Sequence, residues 1–248
     1  MLVPAQDHNT DAQTWLIAVA APRELDAVLR AMGFVGQRPV LWQCVSCGNG
    51  FDVVWTGVGK SNAAGAVARV IDVSRHIGVL SVGIAGALPG SSQVQIGQAV
   101  CASRSYFSDE GVMAPDGFSS CAQMGFAPFN GQDDWIEHPQ RVVDWLGELT
   151  DHIGPIACVS MCSGTDALAE GTASVVQERS EQSEHGIAEA MEGAAVALAA
   201  HRIDERLLTG ELRVISNTTG DRNNQVWDLD GSLEKLEKIL GRMITAQS

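Results

Sequence analysis

Lysine is scarce in this chain: only Lys60, Lys235 and Lys238 among its 16 basic residues. Thirty acidic residues oppose them, giving a formal charge of −14 over 248 residues. Surfaces that hold nucleic acid or anionic lipid need clustered Lys and Arg to displace counterions, so this balance argues against both partners. A small local anion site stays open, and it would rest on Arg. Long hydrophobic runs are missing too. The most apolar stretches, Trp15–Ala21 and Ala194–Ala200, fall far short of the ~20 residues needed to span a bilayer. Residues 1–14 are polar and carry no basic segment of the kind that opens a signal peptide, so a cytoplasmic protein is expected. Cys44 and Cys47 have C-x-x-C spacing, but there is no second such pair and no His pair at metal spacing. Reduced thiols are the expectation, with a metal or redox centre as the alternative. Internal repeats and low-complexity linkers are absent.

What is present reads as globular: 45% apolar and 19% charged residues. One domain, residues 15–248, is expected after a flexible tail at 1–14. Short apolar strands alternate with Ala-rich helices. Trp15–Ala20 reads as a strand and Glu24–Met32 as a helix. Strand Asp52–Thr56 leads through a glycine turn into a helix over Asn62–Ile71. Val79–Gly83 and Gln98–Ser103 read as strands, Pro139–Asp151 as a helix and Pro155–Ser160 as a strand. Strand Ile187–Met191 precedes helix Gly193–His201, and strand Leu212–Ser216 precedes a closing helix over Leu233–Thr245. The pattern predicts an α/β fold, a three-layer sandwich around a mostly parallel sheet. Tyr106–Glu137, rich in Gly, Pro, Asp and Phe, does not fit the alternation and reads as a long irregular, functional or mobile stretch.

Two phosphate motifs fail. Gly57-Val58-Gly59-Lys60-Ser61 would need Gly at position 54 for G-x-x-x-x-G-K-[ST], where Val54 stands, and at position 62 for G-x-G-x-x-G, where Asn62 stands. A strand, a glycine turn and a helix start remain, which suit either a close ligand approach or a tight connection. Gly83-Ile84-Ala85-Gly86-Ala87 reads as a second glycine turn after a buried strand. Met191-Glu192-Gly193 puts an acid at a strand end, as a helix cap or as an acceptor for the two hydroxyls of a ribose. Ser216-Asn217 closes the last strand, and Asp221-Arg222 follows. Glu24, Ala85, Gly86, Glu192 and Asn217 thus come from separate strand ends that can converge on one cleft.

In that order these segments resemble the nucleoside phosphorylase and nucleosidase superfamily, from about Trp15 to the C-terminal helix. The resemblance implies a partly barrel-like sheet. Asn217 stands where the methylthioadenosine and adenosylhomocysteine nucleosidases carry Asp. With Gly220-Asp221-Arg222, Trp227, Asp109-Glu110-Gly111-Val112 and Pro115-Asp116-Gly117-Phe118, it looks like the futalosine hydrolases. That likeness implies hydrolysis of an N-ribosidic bond, release of hypoxanthine and a place in menaquinone biosynthesis. A nucleosidase for methylthioadenosine, adenosylhomocysteine or aminodeoxyfutalosine, a purine nucleoside phosphorylase and a non-catalytic nucleoside-binding module are the alternatives. By the same resemblance Glu24 is the general base for water. Glu192 takes the ribose hydroxyls, Met191 packs on sugar or base, and Ala85 and Gly86 form the floor. An Asn amide offers two donors, which suits the N7 and O6 acceptors of a 6-oxopurine, although it cannot transfer a proton; the alternative is an Asn capping the next turn. Arg222 pairs with the substrate's benzoate carboxylate or else satisfies its own loop. No metal or cofactor is implied. The expected partners are a small nucleoside and further copies of the chain, in a homodimer or larger homo-oligomer.

Overall fold

The computed structural model describes residues 14–90, 94–115, 117–129, 133–177 and 188–245. Strand β1 (Thr14–Val19) is buried at every position, as its unbroken apolar run demands. Trp15, Ile17 and Val19 join one hydrophobic cluster, while Leu16 and Ala18 join another on the opposite face. Helix α1 (Pro22–Ala31) follows, with Pro at its start and Glu24 turned back to its cap. Then come β2 (Cys44–Gly48), β3 (Phe51–Trp55), α2 (Lys60–Val70), β4 (His76–Ala87) and β5 (Ala99–Phe107). A small hairpin of β6 (Gly111–Ala114) and β7 (Gly117–Ser120) precedes β8 (Trp135–Glu137) and α3 (Gln140–Gly147). The chain ends with β9 (His152–Cys158), α4 (Asp166–Gln177), β10 (Ala188–Ala190), α5 (Gly193–Ile203), β11 (Leu208–Thr218) and α6 (Leu229–Thr245).

The main sheet runs β10-β9-β5-β11-β4-β1-β3-β2, with β8 on β5. Because β10 also pairs with β4, the strands β4, β11, β5, β9 and β10 close into a ring. Ala85, Ala102, Ile156, Ala188 and Ile215, one from each ring strand, share a cluster, and the small size of these three alanines lets so few strands close. From β4 the sheet continues open through β1, β3 and β2. The pairings β1–β3, β1–β4, β4–β11, β5–β9 and β9–β10 are parallel; β2–β3, β4–β10, β5–β8 and β5–β11 are antiparallel. Side chains of α1, α3 and α6 share a core with one sheet face, and those of α2 and α5 with the other. The sandwich around a partly barrel-like sheet is as expected from the sequence.

Two readings are corrected. Gly83–Ala87 is not a turn: it forms the last five residues of β4, with Ala85 opposite Ile215 and Gly86 opposite Asn217. Glycine there serves close packing against the neighbouring strands rather than chain reversal. The Tyr106–Glu137 stretch is not uniformly irregular, since it holds the end of β5, the β6–β7 hairpin and β8. Strand β2 and helix α4 have no sequence counterpart above. Asp-Ala-Leu-Ala-Glu-Gly-Thr-Ala-Ser-Val-Val-Gln dilutes a helical stripe with Gly, Thr and Ser, and its apolar side packs on β9. The expected N-terminal tail lies outside the described residues apart from Thr14, which opens β1; Ile187 and Asp116 of the readings above also lie outside.

Candidate active site

The carboxyl ends of β1, β4 and β11 and the exit from β10 border a cleft of about 340 Å³. Glu24 reaches it from α1, and Ala85 and Gly86 from β4. Met191 and Glu192 enter between β10 and α5, Asn217 from β11, and Arg222 from the loop beyond. All seven residues singled out in the sequence therefore line one space, as open parallel sheets arrange their ligand sites.

Glu24 is buried at 4% exposure. Its Oε1 accepts the Ile84 N–H at 2.8 Å and its Oε2 the Ala21 N–H at 2.8 Å, which fixes the carboxylate in one orientation. Burial raises its pKa above the ordinary value, Arg213 pulls it back and Glu192 adds to the rise. A carboxylate of raised basicity facing a cleft is equipped to take a proton from water.

Arg213 was not singled out in the sequence, and it is the electrostatic centre of the site. It is 1% exposed. Nε donates to Glu211 Oε1 at 2.8 Å, Nη2 donates to Ser81 Oγ at 2.7 Å, and Nη2 lies 3.4 Å from Glu192 Oε2. Burial alone would lower its proton affinity, but Glu211, Glu192 and Glu24 together outweigh that and raise it. A Cβ on Gly83 would sit 2.3 Å from Glu24 Oε1 and 2.7 Å from Arg213 Nη1, so both groups lie against the same bare stretch of backbone. The one local hint was two charges at i and i+2, Glu211 and Arg213, on the same face of a buried strand, which says nothing of their partners.

The Gly57–Lys60 turn resolves toward a connection whose anion-binding capacity is already used. Gly57 and Gly59 have φ of +86° and +94°, conformations that favour glycine. The Gly59 N–H, at the start of α2, donates to Glu192 Oε1 at 3.0 Å. Lys60 is paired with Asp109 and lies 3.1 Å from Glu110 Oε1. Asp109 also accepts the Ser160 N–H, so this motif residue ties the β5–β6 connection both to the turn and to the exit from β9.

At the other end, the pairing of β11 with β4 slips at Ser216, between Ile215 opposite Ala85 and Asn217 opposite Gly86. Such a bulge re-aims the following side chain. Asn217 Nδ2 donates to the Thr218 carbonyl at 2.9 Å, and Ser216 Oγ donates to Oδ1 at 2.9 Å. The carbonyl accepts only, so the amide orientation is set and a second N–H remains for a ligand. Glu189, a cleft residue that sequence reasoning missed, stands opposite Gly86 on β10. It accepts the Ser163 N–H at 2.8 Å and the Ser163 hydroxyl at 2.6 Å; burial raises its pKa against those two bonds. Asn217 Nδ2 and Glu189 Cγ would lie 3.1 and 3.5 Å from a Cβ on Gly86, so a donor and an acceptor flank that glycine.

Arg222 lies over the Trp227 ring, 5.1 Å from its centroid, and Nη1 donates to Gln225 Oε1 at 3.1 Å. Among the described residues no carboxylate pairs with it. Its backbone N–H and the Gln225 side chain tie this loop to Ser163 and Gly164. Far from the cleft, burial and then Asp52 push the Cys44 and Cys47 thiols up to about 11 and about 12. Both stay protonated at neutral pH, the form that does not attack a disulfide.

Residues 42–246 match the Phosphorylase superfamily. A futalosine hydrolase of Acidothermus cellulolyticus is 34% identical over 224 residues, covering 90% of this chain and 86% of that one. A futalosine hydrolase of Streptomyces coelicolor is 30% identical over 239 residues, covering 92% and 94%. Among solved structures, a 5'-methylthioadenosine/S-adenosylhomocysteine nucleosidase of S. pneumoniae superposes with a TM-score of 0.72 at 20% identity, covering 95% of this chain and 100% of that one.

Proposed function

Since this chain belongs to the phosphorylase superfamily, we propose that it hydrolyses the N-ribosidic bond of futalosine, releasing hypoxanthine and dehypoxanthine futalosine in menaquinone biosynthesis. The observation that carries the choice of water over phosphate is the filled glycine turn. Glu192 occupies the Gly59 N–H, and Asp109 and Glu110 surround Lys60, so an incoming phosphate would meet three carboxylates.

Glu24 accepts a proton from the attacking water, whose oxygen forms the new bond to C1′ while the bond from C1′ to purine N9 breaks. The bonding pair passes into the purine. Asn217 stabilises that charge by donating its free N–H toward N7 and O6, and the purine takes its proton from solvent. Glu192 keeps spare lone pairs for the two ribose hydroxyls beyond its bonds to Gly59 and Arg213. At the purine, Glu189 beside Asn217 adds an acceptor next to a donor. That order suits a 6-oxopurine, which offers an acceptor at O6 and a donor at N1; a 6-aminopurine offers the reverse. Arg222, without a carboxylate partner among the described residues and lying over the Trp227 ring, takes the benzoate carboxylate at the far end. The protein acts in the cytoplasm, as a homodimer or larger homo-oligomer.

Release of free base from futalosine, inosine and methylthioadenosine tests the reading. Futalosine should be the preferred substrate, and Arg222→Ala should lower kcat/KM for futalosine at least tenfold more than for inosine. Adenine release from methylthioadenosine at a rivalling rate would overturn the substrate, and equal losses for Arg222→Ala would overturn the carboxylate contact.

A further inference from the structure

Glu211 has no part in the chemistry above, yet it is fully buried beside it. It shares a face of β11 with Arg213, and its Oε1 accepts from Arg213 Nε at 2.8 Å. Its Oε2 accepts the Ser105 hydroxyl of β5. Ser105 Oγ in turn lies 2.9 Å from His138 Nε2, and His138 Nδ1 lies 3.0 Å from Thr209 Oγ1. Ser105 gives its one hydrogen to Glu211, and each ring nitrogen of His138 has a polar neighbour, Ser105 on the Nε2 side and Thr209 on the Nδ1 side. His138 stays neutral, because burial, and then His201, push it down to about 3. Space for Glu211 is also reserved: a Cβ on Gly193 would stand 1.9 Å from its Oε2.

We infer that Glu211 is a positioning residue for the hydrolysis, holding Arg213 from its Nε side so that the Nη face is shared between Glu24 and Glu192. Ser105 and His138 brace Glu211 from behind. The inference rests on the hydrolytic reading of Glu24. The charged groups facing Glu24 are Arg213 of β11 and Glu192 at the start of α5; β4 and the helix cap offer it only the Ile84 and Ala21 N–H groups. Arg213 faces Glu211, Glu192 and Glu24. With Glu211 in place, Arg213 has its charge answered from behind and leaves Glu24 basic. Without it, the guanidinium turns its full charge on Glu24 and Glu192, and Glu24 gives up its proton affinity.

The test is the pH profile of kcat for futalosine hydrolysis by wild type and Glu211→Gln, over the range where thermal melting shows both folded. Wild type must first release hypoxanthine and lose that activity in Glu24→Gln; failure there refutes the hydrolytic reading itself. Given that activity, Glu211→Gln should lower kcat about tenfold or more and move the acidic limb down by roughly one pH unit, because Arg213 then turns its unanswered charge on Glu24. A fall in kcat with the limb unmoved, or a limb moved upward, would overturn the inference. If Glu211→Gln does not fold, Ser105→Ala carries the test. Its limb should move the same way by a smaller amount, and an unmoved limb contradicts the inference.

Discussion

A glutamate in the first turn of a helix is ordinarily a solvated partner of the helix dipole. Glu24 departs from that because α1 begins directly beneath the end of β4, whose Ile84 N–H takes up Oε1. Glu24→Gln keeps the shape and removes the basicity, so kcat should fall by roughly 10²–10⁴-fold with KM little changed, as steady-state kinetics on futalosine will show. Asn217→Asp should shift kcat/KM toward 6-aminopurine nucleosides, read from paired assays on inosine and adenosine; an unchanged ratio would count against Asn217 as the purine contact. Glu24 and Glu192 were legible in the sequence because each stands just past the end of a recognisable strand. Arg213, Glu211 and Glu189 were not. They lie within strands, where burial of their charge depends on partners from β4, β5 and a distant loop that no local pattern reveals.

At the scale of elements, the strand–helix alternation was legible where strands such as β1 and β3 are short, mostly apolar runs between polar turns. The extent of β4 was not, since Gly83-Ile84-Ala85-Gly86-Ala87 carries turn residues and a strand alike. Only its pairing with β10 and β11 shows why small residues stand there. The same requirement recurs at the start of α5. Gly193→Ala should destabilise the fold by about 1–3 kcal/mol and lower activity, because the new methyl enters the Glu211 carboxylate. Urea unfolding checks it, and a neutral effect would mean that Glu211 is free to move. The glycine turn before α2, open between two meanings in the sequence, became readable only through Glu192 and Asp109, which are remote in the chain.

For the molecule as a whole, the net charge of −14 and the ring of five strands pull in different directions. On the proposed reading the acidic surface repels the anionic substrate, and recognition falls to local donors such as Asn217 and Arg222. Among the described residues no helix is long and apolar enough to cross a membrane. Acid should weaken the fold through its buried imidazoles. His138 titrates at about 3 when folded, against about 6.5 when unfolded, so between those values the unfolded chain binds a proton that the native state refuses. Its contribution is complete above pH 6.5 and is lost as pH falls toward 3, at up to about 1.4 kcal/mol per pH unit. His138→Gln should flatten that slope in urea unfolding at pH 5, 6 and 7, and an unaltered slope would show that His138 titrates normally. On the proposed reading water, not phosphate, cleaves the purine from futalosine in this cleft. It is tested most directly by chromatography of the products from futalosine with and without phosphate. Hydrolysis predicts equal amounts of hypoxanthine and the free sugar at a rate indifferent to phosphate; a rate that requires phosphate, with a sugar 1-phosphate as product, would contradict it.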